Sequence, residues 1–120
     1  MNGKVCYLEM PATSIDASER FYAGVFGWNT RVRGDGSNGF DDATGGVSGT
    51  WTLERKPSAD PAQGILVSIM VDDVDATLQR VSAGGGRVVA SRTDLGPTGE
   101  AYATFLDPAG NLLSLYQEGR

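Results

Sequence analysis

The 120-residue chain contains no histidine. That removes the commonest metal ligand and the commonest general base, and with them any Ser-His-Asp or Cys-His nucleophile system. Chemistry in this chain has to use carboxylates, tyrosines, hydroxyls, backbone groups or a borrowed cofactor. There is a single cysteine, Cys6, so no internal disulfide can form. Set in an apolar run, it is expected to be a reduced, buried thiol acting as a small hydrophobe. No apolar run approaches the ~20 residues of a membrane span and no signal-peptide pattern opens the chain, so a cytoplasmic setting without membrane contact is expected. A net charge of −5, with no basic stripe, speaks against nucleic acid as a partner.

What is present is an ordinary globular composition, 40% hydrophobic and 21% charged, enough for one domain with its own core. From Lys4 to Met10 the chain alternates, with Cys6, Leu8 and Met10 on one face and Val5, Tyr7 and Glu9 on the other. This reads as a strand ended by Pro11. Ser14 and Asp16 are both suited to cap the helix that follows, in which Phe21, Tyr22, Val25 and Phe26 make i,i+4 pairs. Gly27 stops it. Trp28–Val32 reads as a short strand, Gly34–Gly39 as a glycine-rich loop, Phe40 as a strand residue, and Val47–Glu54 as a strand with loosely defined ends.

Arg55–Gly64, with Pro57 and Pro61, is a linker. The pattern then restarts. Ile65–Val71 reads as a strand, Asp72 and Asp73 as cap candidates, and Val74, Leu78 and Val81 as a helix stripe. Gly84-Gly85-Gly86 terminates that helix, and strands follow at Arg87–Ser91, Ala101–Leu106 and from Leu112 onward. Before the last strand, Asp107-Pro108-Ala109-Gly110-Asn111 has turn chemistry throughout. Strand, helix and three strands thus occur twice, which is the signature of an internal repeat.

With this repeat in view the chain resembles the vicinal-oxygen-chelate superfamily of glyoxalase I, bleomycin-resistance proteins and extradiol dioxygenases. The likeness is carried by Phe21-Tyr22-Ala23-Gly24-Val25-Phe26-Gly27-Trp28, Val71-Asp72-Asp73-Val74-Asp75-Ala76, Gly84-Gly85-Gly86-Arg87-Val88 and Asp107-Pro108-Ala109-Gly110-Asn111, in that order. The resemblance implies an α+β fold: two βαβββ modules forming an incomplete, curled mixed β-barrel around a cavity, with the helices outside. The module bounds would be about 3–56 and 64–118, with a linker at 57–63. Cys6, Leu8, Met10, Ile65, Val67, Ile69, Val71, Leu113 and Leu115 would then face the helices. Val5, Tyr7, Glu9, Leu66, Ser68, Met70, Ser114 and Tyr116 would face the cavity. The resemblance also implies a homodimer.

Metal-dependent relatives of this kind carry histidines and glutamates at positions matching Val5, Leu66, Ser114 and either Thr50 or Thr52 here. None of these is a credible divalent-metal ligand, so no metal and no other cofactor is expected. The ligand-binding candidates are Tyr7, Glu9, Trp51, Leu66, Ser68, Met70, Tyr102, Ser114 and Tyr116. Glu9 is the catalytic candidate, as the one carboxylate aimed into the cavity; the other reading of it is a strand-end glutamate, solvated or paired with an arginine. Tyr102 and Trp51 also read as ordinary packing aromatics. Asp72, Asp73 and Asp107 read as caps, and Asp41-Asp42 with the Gly34–Gly39 loop as a lid or a plain loop.

Two functions follow. One is a metal-independent protein that sequesters or carries a small organic ligand, such as an antibiotic or a biosynthetic intermediate. The other is a metal-independent isomerase, cyclase or lyase with Glu9 as acid/base. A metal-dependent lyase or dioxygenase is disfavoured by the missing ligands.

Overall fold

The computed structural model describes residues 2–32, 34 and 36–119. The first helix, α1 (Ile15–Phe26), forms where the side chains can close its ends. The Ser14 hydroxyl accepts from the Ala17 N–H at 3.2 Å, and Gly27 takes the left-handed conformation (φ 73°) while its N–H bonds the Ala23 carbonyl. Its buried residues, Ser18, Phe21, Tyr22 and Val25, fall at helical spacing. The second helix, α2 (Val74–Ala83), repeats this design: the Asp73 carboxylate accepts from the Ala76 N–H, and Val74, Thr77, Leu78 and Val81 are buried.

Each helix lies between strands of one four-stranded mixed sheet. Strands β1 (Tyr7–Pro11), β2 (Asn29–Val32), β3 (Asn38–Asp41) and β4 (Ser48–Thr52) pair in the order β1-β4-β3-β2. Strands β5 (Ser68–Met70), β6 (Arg87–Asp94), β7 (Ala101–Leu106) and β8 (Leu112–Gln117) pair as β5-β8-β7-β6. In both sheets the first strand is parallel to the last and the other pairings are antiparallel. The α+β class and the doubled βαβββ order are therefore present. The sheets do not close into a barrel among the described residues.

Residues directly opposite in a ladder share a face, so the registers fix which side chains meet the helices. Met10 lies opposite Trp51, and Leu8–Gly49–Phe40 form the neighbouring row. In the second sheet Ile69, Leu115 and Ala103 form one helix-side row, with Leu113 opposite Phe105 in the next. Met10, Phe40, Trp51, Phe105, Leu113 and Leu115 are all buried in a core shared by both halves.

Aromatic contacts run through this core, stacked from Tyr22 to Trp28 (4.6 Å between centroids) and from Trp28 to Phe40 (4.8 Å), and tilted from Phe40 to Trp51 (4.6 Å). Gly49 is glycine because a Cβ there would lie 2.3 Å from both the Leu8 carbonyl oxygen and the Phe40 ring.

A buried polar junction ties the halves together. The Tyr22 hydroxyl donates to Asp107 Oδ2 at 2.8 Å across 85 residues of sequence. Asn111 Nδ2 donates to the same oxygen at 2.9 Å and to the Pro11 carbonyl at 2.7 Å. The backbone N–H groups of Ala109 and Asn111 donate to Asp107 Oδ1. Asp107 does cap its turn, as expected, but it also joins α1 and β1 to the second half.

Three expectations are corrected here. Cys6 is exposed rather than buried, because β1 begins at Tyr7 and no helix reaches back over the residue before it. Ile65 is 92% exposed rather than facing the helices, since β5 is only Ser68–Met70 and residues 65–67 precede it. Asn38 and Gly39 belong to β3 rather than to the preceding loop. Asp35 of that loop lies outside the described residues.

Candidate functional site

The sheet face turned away from the helices carries most of the sequence-predicted site residues. In the first sheet Tyr7 lies opposite Ser48, Asp41 and Asn29 in turn, and Glu9 opposite Thr50, Gly39 and Arg31. In the second, Met70, Tyr116, Tyr102 and Thr93 form one row across the sheet, and Ser68, Ser114 and Thr104 the next. Tyr7, Met70 and Tyr102 are 42%, 62% and 36% exposed, so aromatic and thioether surface stands open on this face. Ser114, in the middle of its sheet, is buried. Leu66 precedes β5 and is 48% exposed. It lines a cleft of about 620 Å³ between β1, the linker and the start of β5, together with Glu9, Arg55 and Asn111.

Trp51 is the exception. It sits opposite Met10 on the helix side, 3% exposed, in contact with Phe40 and Tyr22. Its place is the core, and it cannot stack on a ligand bound at the other face. Glu9 is on the open face but half exposed, and its Oε1 lies 3.4 Å from Arg55 Nε. The structure thus shows the arginine-paired form of Glu9, without the burial expected of a working base.

Sequence reasoning missed Glu100. It follows the 95–99 loop, which is closed by the Leu95 N–H bonding the Glu100 carbonyl and by Gln117 Nε2 donating to Gly99 O. From there its carboxylate accepts the Tyr116 hydroxyl proton in a short hydrogen bond. That bond first, then burial and the charges of Glu100 and Glu118, push the Tyr116 hydroxyl above its ordinary value of 10.0. The pair gives the open face a fixed polar end beside Tyr102. Only the hairpin geometry brings Glu100 to Tyr116, and nothing in the local sequence signals it.

The metal that the resemblance brings to mind does not fit these residues. Val5 is 69% exposed and has no donor atom in its side chain. Leu66 likewise has none. The Thr50 hydroxyl donates to the Asn38 carbonyl, and Ser114 Oγ to the Leu115 carbonyl. Thr50 lies opposite Glu9 on the open face as Ser114 lies opposite Ser68, and Thr52 lies opposite Pro11. Among the described residues no group of three or more His, Cys, Asp or Glu side chains is placed to hold a metal ion. Such a donor set does not hold a divalent ion.

With two βαβββ units, helices on one face and an open aromatic face on the other, the chain has the architecture of a glyoxalase-type protein. The sequence profile of the Glyoxalase/Bleomycin resistance protein/Dioxygenase superfamily matches residues 4–115, and the chain belongs to that superfamily. It is 28% identical over 116 residues to a glyoxylase-like domain-containing protein of Didymella fabae, covering 92% of this chain and 91% of the relative. It is 26% identical over 132 residues to the anthracycline biosynthesis protein DnrV of Streptomyces peucetius, covering 98% of this chain and 48% of that one, so it spans about half the length of that relative. Its fold matches a superfamily member from Sphaerobacter thermophilus with a TM-score of 0.73, at 16% identity and 97% and 98% coverage of the two chains.

Proposed function

We propose that this protein binds a small organic molecule on the helix-free face of its sheets, without a metal, and that two copies pair to cover the bound molecule. The observation that carries this reading is the clustering of exposed Tyr7, Leu66, Met70 and Tyr102 on or beside one face, where the ladders set Met70, Tyr116 and Tyr102 in one row. Open apolar patches of this kind mark interaction sites. Aromatic walls with a few fixed polar groups, here Glu9–Arg55 and Tyr116–Glu100, are what small-molecule sites are made of. No helix among the described residues is long and apolar enough to cross a membrane, and a cytoplasmic setting is part of the reading.

An anthracycline is the first probe, since the Streptomyces peucetius relative is named for anthracycline biosynthesis. Its intrinsic fluorescence should change on titration with saturation at one molecule per chain. Tyr102→Ala and Tyr116→Ala should each weaken binding about threefold to tenfold, the size of one lost aromatic contact of ~1 kcal/mol. Binding untouched by either substitution would overturn the assignment of the face. Conversion of the probe to a new product, abolished by Glu9→Gln while binding persists, would replace the carrier by an enzyme. Sedimentation of a strict monomer with ligand bound would remove the pairing.

A further inference from the structure

The helix side of the molecule contains an unfilled space that the open face does not account for. Most helix-facing strand residues are fully buried, but Leu8, Val67, Ile69 and Val71 are only partly so, and they lie side by side along the inner edges of the two sheets. β1 and β5 are edge strands of different sheets, and residues of both helices border the strip between them. A cavity of about 730 Å³ opens there. Its walls come from both halves: Leu8, Phe26 and Trp28 from the first, Ile69 and Val71 from the second, with Ala76 of α2 at one side. Its volume falls in the range typical of sites for drug-sized molecules.

The charges around its mouth select the ligand. Asp42, Asp72 and Asp73 line it against one guanidinium, Arg80, which donates to the Thr77 hydroxyl. The Asp42 carboxylate is held by the N–H groups of Thr44, Gly46 and Val47 and by the Thr44 hydroxyl. The positive end of α2, which would otherwise favour an anion, is already met by the Asp73 cap and by Asp75 in the first turn. Both faces of the Trp28 ring are covered, by Tyr22 on one side and Phe40 on the other, so only its edge is offered. The recognition is therefore apolar contact in the body of the cavity and carboxylate attraction at its mouth.

We propose that this helix-side cavity is a second binding site, for a compact apolar molecule bearing a cationic group, such as an aromatic amine. Leu8 points into it while Tyr7 and Glu9 point the other way, and Ser68 and Met70 of β5 are the residues it shares with the open face. It does not rest on the function proposed for that face.

Acridine orange, a planar aromatic cation, is the probe, with the anionic dye 8-anilinonaphthalene-1-sulfonate as charge control. The wild-type chain should bind acridine orange at one per cavity. Ala76→Trp, which fills the space, should weaken it at least tenfold, and Asp72→Asn about threefold to tenfold. Val89→Ala, an exposed side chain outside both sites, should change nothing.

If Ala76→Trp fails to fold, methyl NMR of the wild-type chain decides: shifts at Val25, Ile69, Val71 and Ala76 support the site. Shifts confined to Thr93 and Thr104 of the open face overturn it. So do binding unaffected by a folded Ala76→Trp, equal affinity for the anionic dye, or no binding of acridine orange at all. Because Tyr102→Ala reports on the open face, failure of either site can be told from failure of the other.

Discussion

Tyr22→Phe removes one oxygen from the centre of the molecule and nothing else. In the wild type that hydroxyl donates to Asp107 Oδ2 at 2.8 Å, with Tyr22 0% and Asp107 3% exposed. A hydrogen bond to a charged group contributes roughly 1.5–3 kcal/mol. Asp107 keeps three other donors after the change, Asn111 Nδ2 and the N–H groups of Ala109 and Asn111, so it is not stranded. The expected loss is therefore in the lower part of that range, about 2 kcal/mol. For a chain of this size that lowers the melting temperature by roughly 6–10 °C. Urea unfolding followed by the fluorescence of Trp28 and Trp51, both in the core, measures it directly.

Asn111→Ala should cost at least as much, since it frees the Pro11 carbonyl as well as Asp107. The double variant should lose less than the sum, because both side chains share one carboxylate oxygen. The pH dependence adds a sign. Burial first, then the charge of Asp107 and the hydrogen bond to it, raise the Tyr22 hydroxyl well above 10.0. A group whose folded value is raised gives its full stabilisation below the unfolded value and loses it as the pH climbs past that value. Wild type should thus lose stability above pH 10.0 more steeply than Tyr22→Phe. A loss below about 0.5 kcal/mol, the floor for a net hydrogen bond, or strict additivity with Asn111→Ala, would refute the junction.

Two further perturbations test the packing and the loop. Gly49→Ala puts a Cβ 2.3 Å from the Leu8 carbonyl and the Phe40 ring, so it should destabilise by about 3 kcal/mol. Gly24→Ala, in α1 with open space around it, should instead stabilise by about 0.5–1 kcal/mol; equal effects in a melting assay would contradict the close approach of β1 and Phe40 to β4. At Asp42 burial raises the carboxyl, but the hydrogen bonds from Thr44, Val47 and Gly46 outweigh it and leave it below 3.8. A lowered carboxylate stabilises above its unfolded value and stops doing so as the pH falls through its folded one. Asp42→Asn should therefore be less stable than wild type at neutral pH, with the gap closing as the pH drops below 3.8; a pH-independent gap would speak against the ionised loop.

The helices can be read because their signals are local: Ser14, Gly27 and Asp73 sit one residue from the ends they close. Faces of strands are different, since they depend on register, and register comes from partners far along the chain. The alternation of β1 correctly places Tyr7 and Glu9 away from Leu8 and Met10. For β4 the sequence leaves the ends indefinite, so it gives Trp51 no side; the pairing of Met10 with Trp51 settles it on the helix side. Cys6 falls outside β1 by a single residue, a length that alternation alone does not define. Glu9 faces where its parity says, yet its exposure and its pairing with Arg55 follow from the linker's path, which no periodicity encodes.

The motifs that reveal the fold explain why resemblance here carries so little chemistry. Tyr22 of the Phe21-Tyr22 pair, with Asp107 and Asn111 of Asp107-Pro108-Ala109-Gly110-Asn111, are two ends of one hydrogen-bonded junction. Gly27 is a helix cap, and a Cβ at Gly86 would lie 2.7 Å from the Leu106 carbonyl oxygen. Asp73 is a helix cap too. These motifs close the helices and join the two βαβββ units, on the side away from the open face. Those demands persist whatever the face binds. The positions that would carry metal chemistry lie on or beside that face, where Thr50 and Ser114 offer hydroxyls and Leu66 stands beside the cleft. Substitution there leaves the junction untouched. A chain can thus keep the superfamily architecture with no imidazole or carboxylate at the positions matching the metal ligands, and we look for its function in what the exposed tyrosines, Met70 and the Glu9–Arg55 and Tyr116–Glu100 pairs can hold.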